Sequence, residues 1–396
     1  MNPILDNKTF TADVEARADR NGRLYLYGSR DEYGNDEYCS RSYHVFSTDD
    51  MVHFTDHGES FSYTSYLYAP DAVERGGVYY LYFCTDSGRE LAAQSDRPEG
   101  PFVNPKPVTG ADRDGIDPAV FVDDDGKAYY FWGQFNLRGG ELMDDMCTLK
   151  PETIRRSILN ERDHGFHEGS SIRKRGDTYY MVYTDISTGK ATRMSYATAK
   201  HPLGPYTPRG VILDNAGCDP ATWNNHGSIF EYKGQWYIAY HRACFGNHTV
   251  RRVCVEPIEF DEFGLIREVQ MSVGGPEGAV DARRYIDAWR ASKLGGRARS
   301  VLCEDGSEAL SFAQPGDKAA YRSLRFGKET KIILDTEWVS EDCELAVRIG
   351  WYENCAVKGV LRGGETQAAV ETPEGEAIVW LELMKGSANV KGFRFE

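Results

Sequence analysis

Five times along the first two-thirds of the chain, a polar, ionisable residue is followed by a run of alternating positions, a glycine turn and an aromatic run. The plainest instance starts at Asp117. Ala119 to Val122 form its first run, Asp125 and Gly126 its turn, and Ala128 to Trp132 its second run. Period-two alternation on both sides of an Asp-Gly turn predicts a β-hairpin. Asp13 leads another instance, with Gly22 and Tyr25 to Tyr27, and Asp71 a third, with Gly76-Gly77 and Tyr79 to Tyr82. Glu168 leads the fourth, with Gly176 and Tyr179-Tyr180, and His226 the fifth, with Gly234 and Trp236-Tyr237. The five leading residues are spaced by 58, 46, 51 and 58 positions. A hairpin repeat of about 50 residues predicts a β-propeller, with one blade of about four strands per repeat. A second phrase falls in the same phase. Ser95 to Phe102 and Ser195 to Tyr206 both end on Pro-x-Gly-Pro and an aromatic.

After Gly274 to Gly278 the rhythm stops. Short alternating runs follow at Ala319–Phe326, Thr330–Leu334, Leu345–Trp351, Ala377–Leu383 and Val390–Phe393, which read as a β-sandwich. The expectation is therefore an all-β chain: a five-bladed β-propeller over residues 1–278 and a β-sandwich over 279–396. The polar stretch Arg30–Tyr38 and the segment Phe135–Gly140 read as inserts that wall one mouth of the ring.

Composition narrows the partners. A formal charge of −15 argues against nucleic acid, whose phosphates need a basic face, and disfavours anionic lipid. No run approaches the roughly 18 apolar residues of a membrane span. The first residues carry neither a basic nor an apolar leader segment, and nine scattered cysteines without a CxxC pair suit free thiols. Both features point to the cytoplasm.

If the leading residues sit at equivalent points of the innermost strands, Asp13, Asp71, Asp117, Glu168 and His226 converge on one pocket at the axis. Opposed carboxylates in an aromatic-rich pocket suit glycoside hydrolysis, one protonating the leaving oxygen and the other activating water. A third carboxylate raises the acid's pKa towards working pH. Asp13 and Glu168, on the first and fourth blades, face each other across the channel with room for water, which predicts inversion of configuration. Trp223, in the loop before His226, reads as a sugar-stacking residue or as a buried tryptophan between blades. Asp123 to Gly126 is a hairpin turn rather than a calcium loop. There is no HExxH, phosphate loop or GxSxG elbow. His44, His53, His57, His164, His167 and His201 read mostly as surface or turn residues.

Thr11-Ala12-Asp13, Tyr68-Ala69-Pro70-Asp71, Gly115-Ile116-Asp117, His167-Glu168-Gly169 and Asn225-His226-Gly227 together resemble glycoside hydrolase family 43, over residues 2 to about 278. The resemblance implies a five-bladed propeller enzyme of the arabinofuranosidase and β-xylosidase type, acting on small oligosaccharides without a required cofactor. It implies Asp13 as general base, Asp117 as the residue that orients the acid and tunes its pKa, and Glu168 as general acid. Tyr68, Asp71 and Trp223 would face substrate. Arg251 would reach a substrate hydroxyl, with Arg252 adjacent to it. His226 would be the channel histidine, which in some members helps hold a calcium or another ion (Ca2+) under the site. Val14 stands where the family usually has proline. The tail, with Gly316 to Gly327 and Val390 to Phe395, is similar to family 6-type carbohydrate-binding modules of jelly-roll form, with Trp338, Trp351 and Tyr352 as available aromatics. The favoured activity is inverting, exo-acting release of α-L-arabinofuranose. The alternatives are a β-D-xylosidase, a β-galactofuranosidase or a non-catalytic sugar-binding propeller.

Overall fold

The computed structural model describes residues 1–112, 115–351 and 353–396. Strands β1 (Thr11–Ala18), β2 (Leu24–Arg30), β3 (Ser40–Thr48) and β4 (Phe54–Leu67) pair in sequence order as one antiparallel sheet. The next sheet holds β5 (Asp71–Arg75), β6 (Val78–Cys84), β7 (Glu90–Ser95) and β8 (Val103–Pro107). The third holds β9 (Ala119–Val122), β10 (Ala128–Trp132), β11 (Asn136–Leu142) and β12 (Arg155–Asn160). Helix α1 (Glu161–His164) leads into the fourth, made of β13 (Phe166–Arg175), β14 (Thr178–Asp185), β15 (Arg193–Ala199) and β16 (Thr207–Asp214). The fifth is β17 (Ile229–Tyr232), β18 (Gln235–Cys244) and β19 (Asn247–Ile258).

The first strand of each sheet touches the first strand of the next, and β17 returns to β1, so the five sheets form a ring. Val14 and Gly227 form a parallel bridge at the closure. There Ser228 Oγ donates to the Val14 carbonyl and accepts from Ala16 N–H. The fifth sheet has three strands rather than four. The chain start lies along its edge instead, with Ile4 N–H donating to the Val253 carbonyl at 3.1 Å and the Asn2 side chain accepting from Val255 N–H. That segment covers backbone groups an open edge would leave unpaired. Aromatic side chains fill the gaps between neighbouring sheets. Tyr25, Tyr27, Tyr43, Phe61 and Phe83 pack between the first two, and Tyr82, Tyr130 and Trp132 between the second and third. Each such buried side chain contributes about 1.5–3 kcal/mol by leaving water.

The C-terminal strands are β20 (Val280–Asp281), β21 (Ile286–Asp287), β22 (Lys293–Gly295), β23 (Arg299–Leu302), β24 (Glu308–Phe312) and β25 (Lys318–Phe326), then β26 (Lys331–Val339), β27 (Glu344–Ile349), β28 (Val357–Arg362), β29 (Gln367–Ala369), β30 (Gly375–Lys385) and β31 (Ala388–Phe395). One sheet runs β20-β25-β30-β27-β28 with β22 on β25. The other runs β23-β24-β31-β26-β29 with β21 on β31. Their facing sides make one core from Tyr321, Leu324, Val379, Leu381, Phe393 and Phe395, and it already includes Val273.

A buried ion pair locks this sandwich to the ring. The Arg252 guanidinium meets Glu308 through two hydrogen bonds of 3.0 and 2.8 Å, between the rings of Phe10, Phe245 and Trp289. Arg252→Ala strands the buried Glu308 carboxylate, at a cost of about 3–5 kcal/mol. We expect a lower calorimetric melting temperature, partly restored by adding Glu308→Gln. Equal melting of the single variant and wild type would contradict the assignment.

Candidate active site

Backbone irregularities, not the regular ladders, turn the acidic side chains inwards. Asp13 has φ 55° and Asp117 φ 57°, both in the left-handed region that aspartate tolerates better than bulkier residues. The β1–β2 register shifts between Ala12 and Glu15, and β13–β14 shifts on both sides of Glu168. Gly169 follows Glu168 at φ 64°. A Cβ there would come within 2.8 Å of the His226 ring, so the kink and the close approach of the imidazole both require glycine. The result is a cavity of about 300 Å³ at one mouth of the ring, with Asp13, Asp117, Glu168, His226 and Arg251 on its wall.

Asp13 is held on all sides. Arg251 Nη1 donates to its Oδ1 at 2.8 Å, and the Ser29 hydroxyl donates to its Oδ2 at 2.6 Å. His241 Nδ1 stands 3.3 Å and His226 Nδ1 3.6 Å from the same Oδ1. Burial alone would raise its pKa, but the Arg251 charge, the His241 contact and the His226 charge together hold it well below the usual carboxylate range. These contacts favour the ionised form of Asp13. Arg251 is itself clamped, donating from Nε and Nη2 to the two oxygens of buried Asp31, each at 2.9 Å.

Asp117 shows the opposite electrostatics. Burial, then the charges of Glu168 and Asp13, push it well above the ordinary value. Asp117 thus retains a proton to higher pH than an isolated carboxyl would. Gln134 Nε2 donates to Glu168 Oε2 at 2.9 Å, and His167 Nε2 lies 4.0 Å from the same oxygen. One carboxyl held ionised, Asp13, and one held towards its neutral form, Asp117, share the cavity.

Tyr68 and Trp223 also line it. Trp223 is 43% exposed, so it presents a face to the cavity rather than packing between sheets. Asp71 does not belong here, contrary to the reading from the repeat. It begins the regular strand β5 and is fully buried, accepting from Val120 N–H at 2.8 Å and from Arg17 at 2.7 Å. Arg17 stands beside Glu15, which in turn pairs with Arg173 at 2.6 Å, so these four groups tie the inner strands together below the cavity. His167, read as a surface or turn residue, is instead a buried wall residue with Nδ1 2.9 Å from Glu161 Oε1. Phe135, 52% exposed with φ 62°, sets its ring edge-on to His167 at 5.2 Å on the rim.

Arg251 reaches Asp13 and Asp31 within the cavity wall, whereas Arg252 points the other way, to Glu308. Ser29, Asp31, Tyr38, Gln134, Asn224 and His241 belong to the site or its support, and the repeat did not single them out.

Calcium takes about six to eight oxygen ligands. The carboxylates nearest His226 are Asp13, whose facing oxygen already holds Arg251, and Asp117, 3.8 Å from Nδ1. Among the described residues no three His, Cys, Asp or Glu side chains gather as metal ligands. The donor set does not fit a protein-built calcium cage, and no step is derived from an ion. In the sandwich, Trp338 and Trp351 are exposed, and Tyr352 lies outside the described residues.

A ring of hairpin sheets with paired carboxylates at its mouth defines a glycoside hydrolase. The chain belongs to glycosyl hydrolases family 43, whose sequence profile matches residues 1–266. It is 33% identical over 334 residues to a xylosidase/arabinosidase 43A of Humicola insolens, covering 67% of this chain and 98% of that protein. A family 43 beta-xylosidase/alpha-arabinofuranosidase from a compost microbial metagenome, solved with xylotriose, superposes with a TM-score of 0.60 at 31% identity, over 68% of this chain and 97% of that one. An arabinoxylan arabinofuranohydrolase from Bacillus subtilis shares the fold over 100% of this chain and 97% of its own, with a TM-score of 0.60 at 24% identity.

Proposed function

We propose that this family 43 enzyme is a five-bladed propeller that works as an inverting exo-hydrolase, releasing terminal α-L-arabinofuranosyl residues from short plant-type oligosaccharides. In this reading Glu168 gives its proton to the glycosidic oxygen as the bond to the anomeric carbon breaks. Asp13 takes a proton from a water that attacks that carbon from the opposite face, and the sugar leaves with inverted configuration. Asp117 keeps the acid supplied with its proton, Arg251 keeps Asp13 ionised, and Trp223 and Tyr68 bracket the sugar.

One observation carries this reading. The cavity is at the small end for ligand pockets, with the clamped Asp13 and the Gln134-bound Glu168 both on its wall. A small pocket suits a terminal sugar better than a polymer chain. A β-D-xylosidase is the second reading, favoured by the paired xylosidase/arabinosidase naming of the Humicola insolens relative.

The test is a panel of p-nitrophenyl α-L-arabinofuranoside, β-D-xyloside and β-D-galactofuranoside, with the first-formed anomer read by proton NMR. We expect turnover of the arabinofuranoside above the other two and initial release of the inverted anomer. Faster xyloside turnover moves the assignment to the second reading, and a retained anomer removes the single-displacement mechanism. No turnover of any, with sugar binding kept, leaves a binding propeller.

A further inference from the structure

The turn between β10 and β11 holds a residue that its backbone does not favour. Phe135 sits there at φ 62°, in the left-handed region where glycine or asparagine is the ordinary choice. Its ring is exposed, so packing does not offset the strain. Strain of this kind gathers where function needs a side chain in one place.

Three hydrogen bonds fix that place. Phe135 N–H donates to the His167 carbonyl at 2.6 Å, and Glu161 N–H donates to the Phe135 carbonyl at 3.0 Å. Glu161 Oε1 in turn lies 2.9 Å from His167 Nδ1. The residue before Phe135, Gln134, is the one that donates to Glu168. One short turn thus serves the acid and sets an aromatic ring on the rim.

The Glu161 contact also decides what His167 offers. A carboxylate only accepts, so the neutral imidazole keeps its proton on Nδ1 and presents Nε2 as an acceptor. Nε2 stands 4.0 Å from Glu168 Oε2, beyond hydrogen-bond reach, in the wall of the cavity. Among the described residues no hydrogen bond engages it.

Position in the ring selects the ligand. The third and fourth sheets, which carry these residues, stand opposite the first, so His167 and Phe135 lie beside Glu168 and across from Asp13. In a single displacement the acid faces the departing oxygen, while the base works on the opposite face of the sugar. Groups beside the acid at the rim therefore meet the leaving group. In an oligosaccharide that group is a second sugar, with a C–H face for an aromatic ring and hydroxyls for an acceptor.

We propose that Phe135 and His167 form the subsite for the leaving sugar. The phenyl ring packs against the departing sugar ring, and Nε2 accepts a hydrogen bond from one of its hydroxyls. Glu161 is the positioning residue that aims the imidazole. The assignment rests on the reading of Glu168 as the acid.

The test compares two leaving groups on one glycone. Methyl α-L-arabinofuranoside and arabinofuranosyl-substituted xylotriose both release an alkoxide that needs the proton, but only the second brings a sugar ring to Phe135. Methyl β-D-xyloside and xylobiose are the matching pair for a xylosidase. The readout is kcat/KM for the oligosaccharide divided by kcat/KM for the methyl glycoside. Phe135→Asn removes the ring and suits the left-handed backbone. His167→Asn keeps an amide near the place of Nδ1, for Glu161, and removes Nε2, whereas His167→Gln returns a polar atom to the place of Nε2. We expect the ratio to fall about tenfold in Phe135→Asn and in His167→Asn, and to recover in part in His167→Gln. An unchanged ratio in either variant removes that residue from the subsite. Equal losses on both substrates overturn the proposal, because they place the effect on Glu168 or on folding. If the wild type cleaves neither pair, the glycosidase reading falls, and xylotriose titrated calorimetrically into wild type and Phe135→Asn decides the sugar contact. Weaker binding by the variant keeps that contact, and equal affinity or no binding removes it.

Discussion

Glu168→Ala lowers kcat on aryl glycosides by about 10²–10⁴, the usual contribution of a positioned general acid. The loss is expected to depend on the leaving group. A nitrophenolate departs with little protonation, whereas a sugar alkoxide needs the proton in full, so the variant suffers more on an oligosaccharide than on a nitrophenyl substrate. That gradient distinguishes a lost acid from a distorted pocket, which would slow both alike. Folding is expected to survive, because among the described residues the side chain's polar partners are Gln134 and, at 4.0 Å, His167. The alanine also removes one of the negative charges that push Asp117 up. The melting temperature is therefore expected to hold or rise as activity falls. Full activity on both substrate classes would mean that another group gives the proton.

The hairpins were legible because their signals are local. Alternation, a glycine turn and an aromatic run lie within about twenty residues, and the repeat supplied the ring. Position along a strand was legible too, but the direction of a side chain at the strand's head was not. Asp13, Asp71 and Asp117 have matching places in the repeat, yet left-handed backbone turns only the first and third into the cavity, and Asp71 stays in its ladder against Arg17. Nothing in the tripeptides announces a positive φ at a non-glycine residue.

Some of the missed partners were within reach of the same period-two rule. Ser29 and Asp31 are two positions apart at the end of β2 and share a face, the one that meets Asp13 and Arg251. Arg251 and Arg252 are neighbours on one strand and must point to opposite faces, which separates the site residue from the one that locks the sandwich. His241, by contrast, comes from the second strand of the fifth sheet, and only the closed ring brings it to Asp13.

Arg251→Met is the substitution with the largest expected effect on both stability and catalysis. The guanidinium is fully buried between Asp13 and Asp31, so its loss strands two carboxylates at once, and breaking such a buried arrangement costs about 3–5 kcal/mol. Lysine does not rescue it, because one ammonium cannot reproduce the three-donor fork to two acids. The pH dependence has a definite sign. In the wild type, Asp13 is depressed below its ordinary value of 3.8, so its charge contributes stability above that value, and the contribution is lost only as pH falls through the depressed folded value. Without Arg251, burial dominates and the folded value rises. The acid limb of kcat/KM then moves to higher pH, and stability declines as pH rises through the ordinary carboxylate range instead of being gained there. Melting curves and kcat/KM profiles over the same pH series read both shifts. If the variant is too unstable to purify, adding Asp31→Asn removes one stranded charge and leaves the Asp13 shift measurable. An acid limb unmoved in that double variant would mean that His226 and His241 alone keep the base ionised.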